Sequence, residues 1–134
     1  MTRGMTEPTV DELLTEARDI AVTDIGRARA LVQQARVLAR AGGDRAGEAE
    51  ALYRIAELSY ATGLSNEAFA IALEARDLAH EVGAPLTAVS ALNLIAAVQY
   101  HAANYSEALA SAIGALELYR STGERASEGM LLNS

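Results

Sequence analysis

Apolar residues recur along the chain at intervals of three and four, and no stretch sustains the period-two alternation of a strand. The pattern predicts an all-α protein. Thr9 followed by Glu12 has the spacing of a capping box and opens a first helix that turns Leu13, Leu14, Ala17 and Ile20 inward. A second helix is expected over residues 24–41, with Ala28, Leu31, Ala35 and Leu38 on one face and Gly42 and Gly43 closing it. The next pair is expected over 44–62 and 65–82, with Gly63 ending one helix and Ser65 capping the other. The last pair is expected over 85–102 and 105–122, with Pro85 at a first helical position. Connections this short make consecutive helices antiparallel.

The pattern repeats. Gly43, Gly83 and Gly123 lie forty residues apart, and each opens a similar stretch: "GDRAGEAEALYRIA", "GAPLTAVSALNLIA" and "GERASEGMLLNS". Shifting by forty pairs Ala51, Leu52, Ile55, Ala56 and Tyr60 with Ala91, Leu92, Ile95, Ala96 and Tyr100. It also pairs Glu67, Ala68, Ala70, Ala72, Ala75 and Leu78 with Glu107, Ala108, Ala110, Ala112, Ala115 and Leu118. The first unit agrees through Ala28, Ala30, Ala35 and Leu38, while its first helix is shorter, as expected of a terminal capping repeat. A period between 20 and 50 residues is the signature of a solenoid, because one hairpin cannot bury its apolar face alone. The expected organisation is one domain over 9–134, with repeats at 9–42, 43–82 and 83–122, a half repeat at 123–134, and an extended or disordered segment at 1–8.

Leu52, Ile55 and Ala56, followed by Ala68 and Ala75, resemble the tetratricopeptide repeat, in which a large residue, a leucine, a small residue and two alanines of the second helix hold the hairpin together. The resemblance runs from about Thr9 to the end of the chain. Ala56 and Ala96 stand where the family has glycine, Ser59 and Gln99 where it has tyrosine, and the loop tyrosine persists only as Tyr105. The forty-residue period exceeds the family's usual 34, which implies longer helices, as in variants found in large bacterial signalling proteins. The resemblance implies a right-handed α-solenoid whose concave groove is lined by outward residues of each first helix. By position these are Glu50, Tyr53, Glu57, Tyr60 and Ala61, and Ser90, Asn93, Ala97, Tyr100 and His101. A tyrosine offers an apolar ring with a hydrogen-bonding tip, and Asn93 can pair with a peptide backbone through both donor and acceptor. The same tyrosines could instead pack between neighbouring first helices.

Charge narrows the partners. The chain carries a net charge of −7, with seven acidic and seven basic side chains up to Arg45 but eleven acidic and four basic beyond it. An acidic field opposes phosphate backbones, so no nucleic-acid partner is expected. No cysteine is present, which removes thiolate chemistry and the commonest zinc ligands and fits a reducing, cytoplasmic setting. The most apolar run, Leu86 to Tyr100, is interrupted by Thr87, Ser90, Asn93 and Gln99 and falls short of a membrane span. His80 and His101 sit in different repeats without metal-ligand spacing, and the glycines of "GGDRAG" lack the ending of a phosphate loop. Neither catalysis nor a cofactor is expected. Arg29, Arg36 and Arg40 form a basic strip on the second helix, either a solvated face or a dock for an acidic partner.

These features point to a non-catalytic protein-interaction module. Its resemblance implies a sensory or assembly segment of a bacterial regulator such as a diguanylate cyclase or transcription activator. The alternative is a sensor that binds a peptide or small metabolite in its groove. An uncompleted fourth repeat would leave Met130, Leu131 and Leu132 without a covering helix, so a homodimer through that end is expected.

Overall fold

The computed structural model describes the backbone of residues 7–133 and the side chains of residues 7–125. Among these the elements are six helices: α1 (Val10–Ile20), α2 (Ile25–Ala41), α3 (Arg45–Ala61), α4 (Ser65–Val82), α5 (Pro85–His101) and α6 (Tyr105–Asn133). The expected extended N-terminus falls largely on residues 1–6, outside the described part.

Local chemistry starts most of the helices. The Thr9 hydroxyl accepts from the Glu12 amide at 3.1 Å, and the Glu12 carboxylate accepts from the Thr9 amide at 3.0 Å, completing a capping box. Asp24 and Asp44 accept from the amides of Arg27 (3.0 Å) and Gly47 (2.9 Å). Pro85 opens α5, where its missing N–H costs nothing. Ser65, expected as a cap, lies inside the first turn of α4. Leu64 holds the cap position with no side-chain bond.

The turns recur every twenty residues. Gly43, Gly63, Gly83 and Ala103 adopt left-handed backbone, with φ of 72°, 84°, 71° and 66°. After each, the next amide bonds back five residues: Asp44 to Ala39 O, Leu64 to Ser59 O, Ala84 to Ala79 O and Asn104 to Gln99 O, all at 2.8–2.9 Å. This is the six-to-one bond of a Schellman ending. Ala103 alone carries a Cβ in that conformation. Left-handed backbone costs an L-residue roughly 1–2 kcal/mol, partly offset by the greater freedom of glycine in the unfolded chain. Ala103→Gly is therefore expected to stabilise the fold by about 1 kcal/mol and Gly63→Ala to destabilise it by a similar amount, read as opposite shifts of the urea midpoint at constant slope.

The break expected at Gly123 is absent from the backbone, because α6 continues through it. Glu124, Arg125 and Ala126 are good helix formers and offer neither a capping side chain nor a proline. A lone glycine inside a helix costs only about 1 kcal/mol, which the flanking turns offset.

Each helix packs on the next, and α3 also packs on both α1 and α5. The contacts are built largely from alanine. Leu13, Leu14 and Ala17 of α1 join Ala28, Val32 and Ala35 of α2 and Ala51, Ile55 and Leu58 of α3. Further along, Leu52 meets Ala75 and Ala91, while Ala56 and Ala72 meet Leu94 and Ile95. Small residues at these crossings let helix backbones approach closely, and the few large side chains fill what remains. Ser59 is fully buried, and its hydroxyl accepts from Arg29 Nη2 at 3.3 Å. Among the described residues no helix is long and apolar enough to cross a membrane.

Candidate functional site

The C-terminal hairpin opens a cleft of about 540 Å³ between α5 and α6. Asn93, Ala97, Tyr100 and His101 line it from α5, and Tyr105, Leu109 and Ala112 from α6. An aromatic chain forms its rim. Tyr100 meets the His101 ring edge-on at 5.5 Å and the Tyr105 ring at 5.4 Å, and Tyr60 lies 6.0 Å from His101 between centroids. His101 Nδ1 stands 2.9 Å from Ala97 O, one turn back, and also contacts the Tyr60 hydroxyl. In the tautomer with the proton on Nδ1, the imidazole donates to that carbonyl, which also accepts from the Tyr60 hydroxyl at 3.5 Å.

The outward residues of α3 have a different fate. The Tyr53 hydroxyl donates to the Glu57 carboxylate at 3.1 Å, and Arg54 donates to the same carboxylate at 3.2 Å while its guanidinium sits 5.3 Å over the Tyr53 ring. Burial, reinforced by the neighbouring Glu57 charge, pushes the Tyr53 hydroxyl up to about 12, so it remains a donor. Glu50 belongs to a separate polar recess of about 160 Å³ with Asp11, Thr15, Arg18 and Arg54. The structure thus gathers Asn93, Ala97, Tyr100 and His101 into one cleft, links Tyr60 to it through His101, and leaves Glu50, Tyr53 and Glu57 elsewhere.

Tyr60 and Tyr100 are equivalent in sequence and unequal in space. Tyr60 is half-buried against the core that α5 completes, whereas Tyr100 keeps 58% of its surface exposed. α5 packs on α3 and α4 beside Tyr60, and among the described residues no helix packs in the same way on α5 and α6 beside Tyr100. Beside Tyr100 the surface of α6 carries Tyr105, Leu109, Ile113, Leu116 and Tyr119, all exposed. Shifted back by forty, these are Ser65, Phe69, Leu73, Arg76 and Ala79 of α4. There Phe69 and Leu73 pack against the cluster containing Leu94 and Ile95, and Ala79 is buried with Ala88. Ala72 is buried, while its counterpart Ala112 is exposed. The uncovered helix therefore bears apolar residues where the covered one has Ser65 and Arg76, and a larger one where it has Ala79. Carrying the groove over by position in each first helix does not point to Tyr105, Leu109 or Ala112, which line the cleft from α6. The signal that could have found them is the exchange of Ser65, Arg76 and Ala79 for Tyr105, Leu116 and Tyr119.

Remaining candidates lie away from this face. Arg29 and Arg36 of the expected basic strip face Glu67 (3.5 Å) and Glu74 (3.9 Å) of α4, and Arg45 faces Glu81 at 3.1 Å. These pairs are partly exposed and each is worth little, but they engage Arg29 and Arg36 of the strip within the chain. His80 lines a different recess, of about 430 Å³, with Arg76, Asp77 and Leu118. Among the described residues no group of three His, Asp or Glu side chains is arranged to hold a metal ion. The side chains of Met130, Leu131 and Leu132 lie outside the described residues, and the self-association expected of them stands apart from the site described here. No protein-family model, curated protein or solved structure matches the chain.

Proposed function

We propose that this chain is a non-catalytic interaction module of tetratricopeptide type, in which the exposed face of α6 and the adjoining α5–α6 cleft seat an apolar helix. The observation that carries this reading is the equivalence with α4, whose matching face is covered by Leu94 and Ile95 of α5. A contiguous apolar surface rimmed by polar groups is uncommon on a protein without a partner. The resemblance adds the setting: a sensory or assembly segment of a bacterial cytoplasmic regulator, controlling an output such as a diguanylate cyclase or a transcription activator.

A labelled peptide with the sequence of α5, residues 85–101, reproduces the kind of helix that covers α4 and serves as the probe. Fluorescence anisotropy is expected to show saturable binding that Leu109→Glu weakens at least tenfold, about 1.4 kcal/mol, with the circular dichroism unchanged. Binding that is indifferent to Leu109→Glu would remove the assignment.

A second reading is favoured by the polar groups of the cleft, namely Asn93, His101 and the two tyrosine hydroxyls, which could orient a short peptide or small metabolite. Tyr100→Ala would then abolish a ligand-induced rise in melting temperature, whereas Leu116→Glu, on α6 outside the cleft lining, would leave that rise in place.

A further inference from the structure

The proposed helix seat leaves its occupant open, and we propose that the occupant is a second copy of this chain, with α6 packed against α6 about a two-fold axis. The inference rests on the reading of this face as a helix seat. Geometry supplies the first argument. Short connections make α4 and α5 antiparallel, so the seat is built for an antiparallel helix, and a two-fold axis perpendicular to α6 produces that arrangement.

The face is also complementary to itself. Tyr105, Leu109, Ala112, Ile113, Leu116 and Tyr119 follow i, i+4, i+7, i+8, i+11 and i+14 spacing, a stripe on one side of the helix that is uncharged until Arg120 at its end. An antiparallel pair centred between Ala112 and Ile113 sets Leu109 opposite the partner's Leu116. The small Ala112 leaves room for a large side chain from across the axis. Tyr105 then meets the partner's Arg120, where a guanidinium can rest on the ring.

Charge selects the symmetric contact over a head-to-tail one. The opposite end of the array is α1, whose outer surface exposes Asp11, Glu12, Glu16, Arg18 and Asp19. Pressing these onto the apolar stripe would desolvate charge without pairing it. Only contact of like face with like face keeps the acidic surfaces in water. The area is adequate: Tyr100, Tyr105, Leu109 and Tyr119 are each at least 58% exposed, and Ile113 and Leu116 are 46% and 48% exposed. With Ala112 they offer on the order of 600 Å² per copy, against roughly 800 Å² per partner in a standard interface.

Sedimentation velocity of the full chain from low to high micromolar concentration is expected to give a mass rising towards twice that of the chain. Leu109→Glu with Leu116→Glu should shift the dissociation constant by at least about tenfold, with helicity unchanged because both residues are exposed. Leu109→Arg with Leu116→Arg should do the same alone, yet mixing the two variants should restore the dimer as a heterodimer, since each leucine faces its opposite number. A chain that stays monomeric throughout, or a dimer indifferent to both variants, would overturn the proposal. The α5 peptide separates this failure from that of the seat. A monomer that still captures the peptide through Leu109 rejects the second copy and keeps the seat, and a monomer that captures nothing rejects both.

Discussion

Replacing Ile55 by alanine is expected to lower the folding free energy by about 2–5 kcal/mol, the range found when a large aliphatic side chain is truncated in a packed core. Ile55 is 2% exposed and belongs to the cluster in which α1, α2 and α3 meet, with Leu13, Leu14, Val32 and Leu58 as its other large members. Most of the remaining members are alanines, which cannot swing into the vacated space. The cavity therefore stays open, and the cost should fall in the upper half of the range. A domain of this size is held by only about 5–15 kcal/mol in total, so the loss is a large fraction of its stability. Because units of such an array contact only their neighbours, the damage should be local at first. Hydrogen exchange is expected to accelerate in α1 and α2 before α5. Val37→Ala, at a position 68% exposed, provides the control and should change the urea midpoint by less than the equivalent of about 0.5 kcal/mol. A similar small effect for Ile55→Ala would mean that the cluster around α1 does not hold the array together.

Periodicity made the helices legible. It locates six helical segments because each element has one apolar stripe, and the capping box at Thr9 and Glu12 and the glycines at Gly43, Gly63 and Gly83 mark where segments begin and end. Turn chemistry alone was less reliable. Gly123 matches Gly83 in register, yet α6 passes through it, because a glycine ends a helix only when the following residues favour leaving it. Ala103 shows the converse, a left-handed residue where no glycine announces one.

The site was legible in part, for a reason that lies in packing. Tyr60 and Tyr100 occupy the same place in their repeats, and sequence cannot tell that α5 covers Tyr60 while Tyr100, on α5 itself, stays exposed. Spacing of three and four residues already allows Arg54 and Tyr53 to converge on Glu57, but nothing local shows that Arg29 and Arg36 reach Glu67 and Glu74 at 38 residues' distance. Tyr105, Leu116 and Tyr119 of α6 stand where α4 has Ser65, Arg76 and Ala79, but that exchange gains its meaning only once the structure shows the matching face of α4 packed against α5.

Alanine, the least conspicuous residue of the core, sets the limit on how closely these helices approach, and enlarging it should be as damaging as truncating isoleucine. Ala75 is fully buried and meets Leu52 of α3 and Ala91 of α5, so three helices converge on its methyl group. Leucine at this position adds three carbons where no space exists. Ala75 is fully enclosed where α3 and α5 meet α4, so relief requires α3 or α5 to move away from α4. Overpacking typically costs 1–3 kcal/mol, and a site bounded by two helix backbones should lie at or beyond the top of that range, at about 3 kcal/mol. Ala70→Leu lies on the exposed side of the same helix, where leucine and alanine differ little in helix propensity, and should shift stability by under about 0.5 kcal/mol. Pairing Ala75→Leu with Leu52→Ala gives the sharper test, because the second change removes the side chain with which the new leucine collides. If alanine at position 75 is required for close approach at this crossing, the double variant should recover at least about 1 kcal/mol relative to the sum of the single variants. Strict additivity in urea melts would show instead that Ala75 does not set the spacing of these helices.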